Sequence, residues 1–135
     1  FVGSGQEIPP VVHVVGSHLL GTATVASDVD LLCVGPAEMA AEPFFNHLCE
    51  VLRAGGTVVR SRVIMQAYQP IASVTLRCAC PRGGTCDLDV SYLRLPEGAS
   101  CADFVASLPR LDAAGLVSIQ SYLAGHFLLF CFQVE

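Results

Sequence analysis

Two aspartates separated by one residue, Asp28 and Asp30, begin an apolar segment that ends at Val34. Side chains two residues apart on an extended strand point to the same face, so the two carboxylates project together while Leu31 and Leu32 supply apolar surface. Adjacent carboxylates repel each other, and a divalent cation relieves that repulsion. Oxygen ligands of this kind suit Mg²⁺, which binds through one or two carboxylates together with substrate phosphates. The pair therefore indicates metal-dependent chemistry on a phosphate-bearing substrate.

A Gly-Ser turn precedes this pair. Gly16 and Ser17 follow an apolar strand that ends at Val15, and ten residues separate Ser17 from Asp28. Glycine lets the backbone come close to a ligand, and the N–H groups of a tight turn, with a hydroxyl group beside them, attract phosphate oxygens. A Gly-Ser pair alone is an ordinary turn, but together with the two aspartates it predicts a phosphate-binding turn next to a metal site.

A third carboxylate is available on a later strand. Asp87 and Asp89 alternate with apolar residues, so both side chains are expected on one face of that strand. A third carboxylate is expected near such a metal site. From the residues alone, either Asp87 or Asp89 could be the third ligand.

In combination these segments resemble the nucleotidyltransferase superfamily of the DNA polymerase β type. The closer likeness within that superfamily is to eukaryotic nuclear poly(A) polymerases, and it extends over about residues 11–125. The matching segments are Val15–Gly21, Thr24, Asp28–Pro36, Phe44–Phe45 with Leu48, Ala67–Ile71, Asp87–Leu95, Leu111–Asp112 and Ser121–Gly125. This resemblance assigns Asp89 as the third metal ligand and Asp87 as an accompanying acid.

The resemblance implies the transfer of AMP from ATP to the 3′-hydroxyl of RNA by a two-metal mechanism. The implied catalytic residues, which also hold two Mg²⁺ or Mn²⁺ ions, are Asp28, Asp30 and Asp89. The implied nucleotide-binding residues are Val15, Gly16, Ser17, Thr24, Asp28, Asp30 and Asp89. The implied partners are ATP, an RNA 3′ end, and central and RNA-binding domains outside this chain, and the implied location is the nucleus. Neither a membrane nor DNA is expected as a partner.

Several positions depart from the family pattern. The chain contains no lysine, and Val25 stands where the family has one. Leu19 replaces an arginine and His18 a tyrosine beside the Gly-Ser turn. Two alternatives therefore stay open. One is a domain of this fold that is kept for binding or assembly, with weak or absent catalysis. The other is a related enzyme with another nucleotide or acceptor, such as a tRNA nucleotidyltransferase, a terminal uridylyltransferase or an oligoadenylate synthase.

The charge of the chain opposes that of a free-standing RNA-binding domain. The 135 residues carry a net charge of −5 and only seven basic residues, all of them arginine. Since contacts from Lys and Arg to phosphates dominate RNA affinity, an RNA substrate would be held by bound metals, by domains outside this chain, or by arginines within it. We expect the outside domains to contribute most. The candidate arginines are Arg60, Arg62, Arg77 and Arg94.

The cysteines and the apolar segments indicate a soluble intracellular protein. Seven cysteines, an odd number, occur without a secretory signal, which favours reduced thiols over a disulfide framework. Cys78, Cys80 and Cys86 lie close in sequence but lack a second Cys-x-x-Cys pair, so we expect no zinc site there. The apolar run 125–132 is too short for a membrane helix. The first residue is Phe1, and with the apolar end this leads us to expect a fragment of a longer protein.

Hydrophobic periodicity predicts an α+β domain with a mixed sheet of four or five strands and helices mainly on one face. We expect a loop at 1–10, a catalytic domain at 11–110 and the truncated start of a central domain at 111–135. The predicted strands are 11–15, 28–34, 57–65, 71–80 and 86–93. The predicted helices are 37–54, a short helix capped by Ser100 or Ser107, and 113–124 capped by Asp112, and residues 16–27 are expected as a turn and loop.

Overall fold

The computed structural model describes residues 2–3, 6–7, 11–24, 26–78 and 83–133. Its strands are β1 (Val2–Gly3), β2 (Gln6–Glu7), β3 (Val11–Val15), β4 (Val29–Gly35), β5 (Val58–Ile64), β6 (Ile71–Arg77) and β7 (Thr85–Arg94). Its helices are α1 (Gly16–Leu20), α2 (Ala41–Ala54), a 3₁₀ helix (Phe104–Arg110) and α3 (Ala113–Gln133).

The main sheet has five strands in the order β3-β4-β7-β6-β5. Strands β4 and β7 run parallel, and the other neighbouring pairs are antiparallel. The predicted mixed sheet is therefore confirmed. The expected N-terminal loop differs, because β1 and β2 pair with each other as a small antiparallel ladder.

Helices cover both faces of the sheet, and the expectation of helices mainly on one face is wrong. One core lies between the sheet and α2, where the side chains of Phe45, Val90 and Tyr92 are buried. The other lies under the 3₁₀ helix and α3, and its buried members include Leu32 and Leu93. Strands β4 and β7 each have four successive buried positions at or near their ends, 32–35 and 90–93, so both of their faces are covered there.

The helix boundaries differ from the predicted ones in three places. Helix α2 begins at Ala41 because the preceding residues form a turn in which the N–H of Met39 donates to the Pro36 carbonyl at 3.1 Å. Neither Ser100 nor Ser107 caps the short helix, which is a 3₁₀ helix preceded by Asp103. Helix α3 extends to Gln133.

The predicted cap of α3 is confirmed. The N–H of Gly115 donates to Asp112 Oδ1 at 2.8 Å, which satisfies one of the backbone donors at the start of the helix. Ile119 of α3 is fully buried in the same core as the sheet residues. The boundary expected between 110 and 111 therefore falls where α3 begins to pack on the sheet, and its status as a domain boundary stays a prediction.

The segment after β3 forms the short helix α1 at the start of the predicted loop 16–27. Leu19 of α1 packs against Gly125 of α3, where a Cβ atom on the glycine would lie 2.6 Å from Leu19 Cδ2. The apolar residue that replaces the family's arginine is thus a packing contact. Since α1 begins at Gly16, this contact holds the Gly-Ser turn at the end of β3.

Cys33, Cys49, Cys86 and Cys101 are free thiols. Cys80 lies outside the described residues, so the absence of a zinc site with Cys78 and Cys86 stays a prediction. No helix among the described residues has the length and apolar character needed to cross a bilayer.

Candidate functional site

Two of the predicted catalytic aspartates lie side by side in the sheet. Asp30 of β4 and Asp89 of β7 are Cα partners in the parallel pair. Neighbouring strands are about 4.8 Å apart and directly paired residues point to the same face, so the two carboxylates project together. Asp87 precedes Asp89 by two residues on this face, and Asp28 lies just before β4. The tertiary structure thus brings all four predicted acids to one end of one sheet face.

The same sheet face is apolar further along the strands. Leu32 and Val34 follow Asp30 on β4, Leu93 follows Asp89 on β7, and all three side chains are buried under α3 and the 3₁₀ helix. The helical layer therefore covers only the apolar part of this face. The aspartates stand beyond it, where a ligand has access.

Two hydroxyl groups on β6 bind the acids of β7. Ser73 Oγ donates to Asp89 Oδ1 at 2.8 Å, and Thr75 Oγ1 donates to Asp87 Oδ1 at 2.6 Å. Each hydroxyl residue is the direct strand partner of the acid that it contacts. The sequence interpretation missed both, although their alternation on a strand was visible. The bond to Oδ1 restrains the Asp89 carboxylate and orients its second oxygen.

The Gly-Ser turn lies against Asp30. Gly16 has φ +68°, and a Cβ atom on it would overlap Asp30 Oδ2. Only glycine combines this left-handed backbone with so close an approach. Val15, the buried Cα partner of Asp30, anchors the turn to the sheet. Ser17 follows Gly16 in this turn, and its hydroxyl makes no hydrogen bond to a described residue, so it is available to a ligand.

The electrostatics of the site favour a cation. Burial raises the pKa of Asp30, the negative charges of Asp89 and Asp28 raise it further, and His18 of α1 opposes this shift. A raised pKa means that the ionised form is destabilised in the folded protein. The negative charge at Asp30 is therefore offset only in part by His18.

The donor set suits Mg²⁺, although the side chains are not gathered around a common point. Within the described residues, no group of three or more His, Cys, Asp or Glu side chains stands where it could hold a metal ion. Mg²⁺ normally uses one or two protein carboxylates and completes its octahedron with water and substrate phosphates. Carboxylate oxygens on adjacent strands satisfy that requirement, so the chemistry of the donors fits this ion.

Two cavities meet at Asp89. The smaller, of about 150 Å³, includes Gly16 and Asp30 in its wall. The larger, of about 330 Å³, lies on the side of β5 and β6 and includes Arg60 and Arg62. Asp89 lines both. This carboxylate therefore lies between two separate spaces on the same sheet face.

Thr24 does not share the arrangement of the other predicted residues. Its N–H donates to Ser27 Oγ at 2.9 Å, and its hydroxyl lies 3.3 Å from the same oxygen. These contacts form a turn directly before Asp28. The predicted nucleotide-binding role of Thr24 stays a prediction, and the described contacts give it a part in shaping the loop that presents Asp28.

A larger cavity, of about 610 Å³, lies at the other end of the sheet and contains none of the predicted catalytic residues. Two arginines in its wall connect loops. Arg94 Nε donates to the Ala37 carbonyl at 2.6 Å, and Arg110 Nη2 donates to the Glu97 carbonyl at 2.9 Å. Of the arginines proposed as RNA contacts, Arg60 and Arg62 stand near the aspartates and Arg94 stands far from them.

The five-stranded mixed sheet, with paired aspartates on its parallel strands and a glycine turn against one of them, is a polymerase β-like nucleotidyltransferase fold. Residues 9–60 match the family model described as the nucleotidyltransferase domain. The predicted fold class is confirmed.

A poly(A) polymerase of Dictyostelium discoideum is similar to this chain, with 27% identity over 71 residues, which are 53% of the chain and 9% of that protein. The chain thus spans less than a tenth of the length of this curated relative. Together, the family match and this relative support a nucleotidyltransferase, as the sequence predicted.

Solved structures also share the fold. The Cid1 poly(U) polymerase in a mutant form bound to MgATP aligns with a TM-score of 0.51 and 20% identity, covering 62% of this chain and 25% of that one. The GLD-2/RNP-8 complex aligns with a TM-score of 0.50 and 20% identity, covering 62% and 32%. At this identity the likeness establishes the fold alone.

Proposed function

We propose that this chain carries the catalytic carboxylates of a template-independent polymerase that transfers AMP from ATP to the 3′-hydroxyl of RNA, in the manner of the nuclear type of poly(A) polymerase. The observation that supports this most directly is the pairing of Asp30 with Asp89 beside the Gly16 turn. Asp30 and Asp89 lie far apart in sequence. Two carboxylates that only face solvent would not need to be adjacent to each other and to a glycine turn.

Each residue has a distinct part in this reaction. The backbone of Gly16 and the hydroxyl of Ser17 bind the β and γ phosphates of the nucleotide. Asp28 and Asp30 would hold two Mg²⁺ ions, and Asp89 would complete the ligands of one. When bound, such ions neutralise the triphosphate and lower the pKa of the attacking hydroxyl. Asp89, held by Ser73, accepts the proton of the acceptor hydroxyl as that oxygen bonds to the α-phosphorus and pyrophosphate leaves.

The raised pKa of Asp30 supports this use of the carboxylates. A carboxylate whose ionised form is destabilised in the free protein is stabilised strongly when a cation binds beside it. Mg·ATP brings both the cation and its phosphate ligands, so we propose that the nucleotide completes a metal site that the carboxylates alone leave incomplete.

We further propose that residues 111–135 belong to the central domain of the polymerase family and that the protein works in the nucleus with further RNA-binding domains. One face of α3 packs on the sheet, while Leu116, Leu123 and Phe127 are exposed on α3. An apolar surface of this kind favours contact with another folded unit. The curated relative is also far longer than this chain.

The lack of lysine supports an alternative, a nucleotidyltransferase fold kept for binding. Another possibility is transfer of a different nucleotide. Two measurements distinguish these alternatives from adenylyl transfer. Nucleotide binding distinguishes the scaffold, which would not bind Mg·ATP. The nucleotide added to RNA distinguishes a uridylyltransferase, which would use UTP.

The test is a calorimetric titration of ATP into the chain with Mg²⁺ present, compared with Asp28→Ala and Asp89→Ala. We expect metal-dependent binding that both substitutions abolish. Asp103→Ala is the matched control, because it removes an exposed carboxylate outside the site whose side chain caps no helix. Extension of an RNA primer with each of the four nucleotides then identifies the product.

In the extension assay Asp28→Ala should lose at least about a hundredfold in rate, because electrostatic stabilisation is usually the largest catalytic contribution. Asp103→Ala should keep the wild-type rate. A wild-type rate in Asp28→Ala would refute the mechanism. Absence of nucleotide binding in a folded sample would favour the scaffold alternative.

A further inference from the structure

Two arginines on the edge strand β5 face the aspartates across the sheet. Arg62 is the Cα partner of Ser73, which is in turn the partner of Asp89. Arg60 is related in the same way to Asp87, through Thr75. Neighbouring strands are about 4.8 Å apart, so each arginine begins about 10 Å from its acid, on the same face.

The two guanidinium groups are not used to hold the fold together. Arg60 and Arg62 are exposed and make no hydrogen bond or ion pair with a described residue, while other arginines do. Arg53 is a clear contrast, since its Nη2 donates to Ser61 Oγ on the opposite face of the same strand at 2.6 Å. The acids opposite Arg60 and Arg62 take their hydrogen bonds from Ser73 and Thr75 instead.

Arg60 and Arg62 therefore form one wall of the 330 Å³ cavity, and the carboxylates of Asp28, Asp87 and Asp89 form the other. A ligand that suits this space has negative charge at the end that meets the arginines and a reactive group at the end that meets the carboxylates. Nucleic acid with a free 3′ end has this character, because a phosphodiester chain leads up to a terminal hydroxyl. Guanidinium groups are positively charged and present a planar set of N–H donors, and both properties complement the oxygens of a phosphate.

Because Asp89 lines two cavities, the incoming nucleotide and the acceptor strand could approach it from different sides. The Gly16 turn lies on one side of it, with the smaller cavity, and the arginines lie on the other side. We propose that Arg60 and Arg62 bind the phosphodiester backbone of the acceptor RNA just before its 3′ end, and so direct the terminal hydroxyl to Asp89. This inference rests on the proposed function, in which the Gly-Ser turn holds the triphosphate of the incoming nucleotide.

The arginines also lie on an edge strand, where charged residues discourage pairing with other chains. A purely protective role and a role in RNA binding differ in their dependence on salt. A side chain that contacts a phosphate releases bound counterions when RNA binds, and the salt dependence of affinity counts such contacts. A side chain that only protects the edge leaves the salt dependence unchanged.

The test is the titration of a fluorescently labelled single-stranded RNA with a free 3′-hydroxyl into the 135-residue chain at several salt concentrations. Arg60→Ala and Arg62→Ala should each weaken binding about tenfold at low salt. Each should also reduce the slope of log K against log salt by about 0.7, the value for one contact with a single strand. Arg62→Lys, which keeps the charge, should recover part of both losses.

Arg110→Ala is the matched control, because it removes the same charge from the far end of the sheet, where its guanidinium contacts the Glu97 carbonyl. It should bind RNA with the wild-type slope. Mg·ATP affinity should be unchanged in Arg60→Ala and Arg62→Ala, since neither arginine lines the cavity beside the Gly16 turn that is proposed to hold the triphosphate.

The outcomes separate this inference from the proposed function. Wild-type RNA binding in both arginine variants, or no RNA binding by the wild-type chain at low salt, overturns the inference, while aspartate-dependent ATP binding would leave the proposed function standing. An equal loss of ATP and RNA binding assigns the arginines to the nucleotide and also overturns it. If RNA binding depends on the arginines but ATP binding is absent, the proposed function fails, and with it the acceptor role.

Discussion

Asp30 and Asp89 are direct partners in the parallel pair β4–β7, and this pairing depends on the core beside it. A shift of β7 by one residue would turn Asp89 to the α2 face. Such a shift would also move Leu93 out of the core under α3, where it is fully buried next to Leu32. The burial of apolar residues at one end of the strands thus fixes the position of the carboxylates at the other end.

Gly16 provides a test of the contact between the turn and Asp30. Gly16→Ala should abolish most Mg·ATP binding, by more than about tenfold, because the added methyl group overlaps Asp30 Oδ2. Gly21→Ala is the control: Gly21 has a similar φ of +71° but no atom within 4 Å of the added carbon. Both variants should lose about 1–2 kcal/mol of unfolding free energy from left-handed backbone strain. Urea denaturation and calorimetry measure the two effects, and equal ATP binding in both variants would contradict this role of Gly16.

Ser73 should act as a positioning residue for Asp89. Ser73→Ala removes the hydrogen bond to Asp89 Oδ1 and should weaken Mg²⁺-dependent ATP binding about 10- to 100-fold, as is typical when a group that orients a metal ligand is lost. Thr75→Val removes the corresponding bond to Asp87, which the family resemblance does not assign as a ligand. It should change the affinity less than about threefold. A larger loss of ATP affinity in Thr75→Val than in Ser73→Ala would indicate that Asp87, and not Asp89, is the metal ligand.

Asp30 should link stability to pH and to metal. Because its pKa is raised, the folded protein holds this proton more tightly than the unfolded chain. Its contribution to stability is therefore complete below the unfolded value of 3.8 and is lost as pH rises through the folded pKa. At neutral pH in EDTA, Asp30→Asn should therefore raise the Tm. A gain of about 1 kcal/mol in unfolding free energy would raise the Tm by roughly 4 °C. The rise should be smaller than this, because the Asp30 carboxylate is partly solvated.

The same melting experiment with Mg²⁺ tests the ligand role of Asp30. Mg²⁺ supplied as Mg·ATP should raise the Tm of the wild type, because the complex binds only the folded state, and should leave the Tm of Asp30→Asn unchanged. Asp103→Ala serves as the control and should respond to Mg²⁺ as the wild type does. An equal Mg²⁺ response in Asp30→Asn would exclude this carboxylate as a ligand.

His13 should make the protein less stable in acid. Burial lowers the pKa of His13, the nearby His126 lowers it further, and Nε2 is buried without a hydrogen bond to a described residue. The ring of His13 lies 5.0 Å from Phe104 and 5.2 Å from Tyr122, so protonation would place a charge between aromatic rings of the 3₁₀ helix and α3. The folded state therefore binds this proton less readily than the unfolded chain.

Stability should consequently fall as pH decreases below the unfolded value of 6.5 toward the lowered folded pKa. Unfolding in urea between about pH 5 and pH 8, where only histidine normally titrates, measures this slope. His13→Phe should flatten it, whereas His47→Gln, on the exposed side of α2, should not. An unchanged slope in His13→Phe would show that another group causes the acid sensitivity.

Much of this protein could be predicted locally. The limits of β3, the limits of β4 to within one residue, the cap of α3 by Asp112 and the common face of Asp87 and Asp89 follow from short patterns, because alternation and capping depend on neighbouring residues. The start of α2 at Ala41 was not predicted, since hydrophobic periodicity does not distinguish the turn before a helix from its first residues.

By itself, the sequence determined which residues could share a face and which chemistry they could perform. Only the tertiary structure decided that β7 lies between β4 and β6, which places Asp89 beside both Asp30 and Ser73 and sets Arg62 opposite. That strand order comes from burying both faces of β4 and β7 under helices on opposite sides. The preference is a property of the assembled core, and no segment read alone contains it.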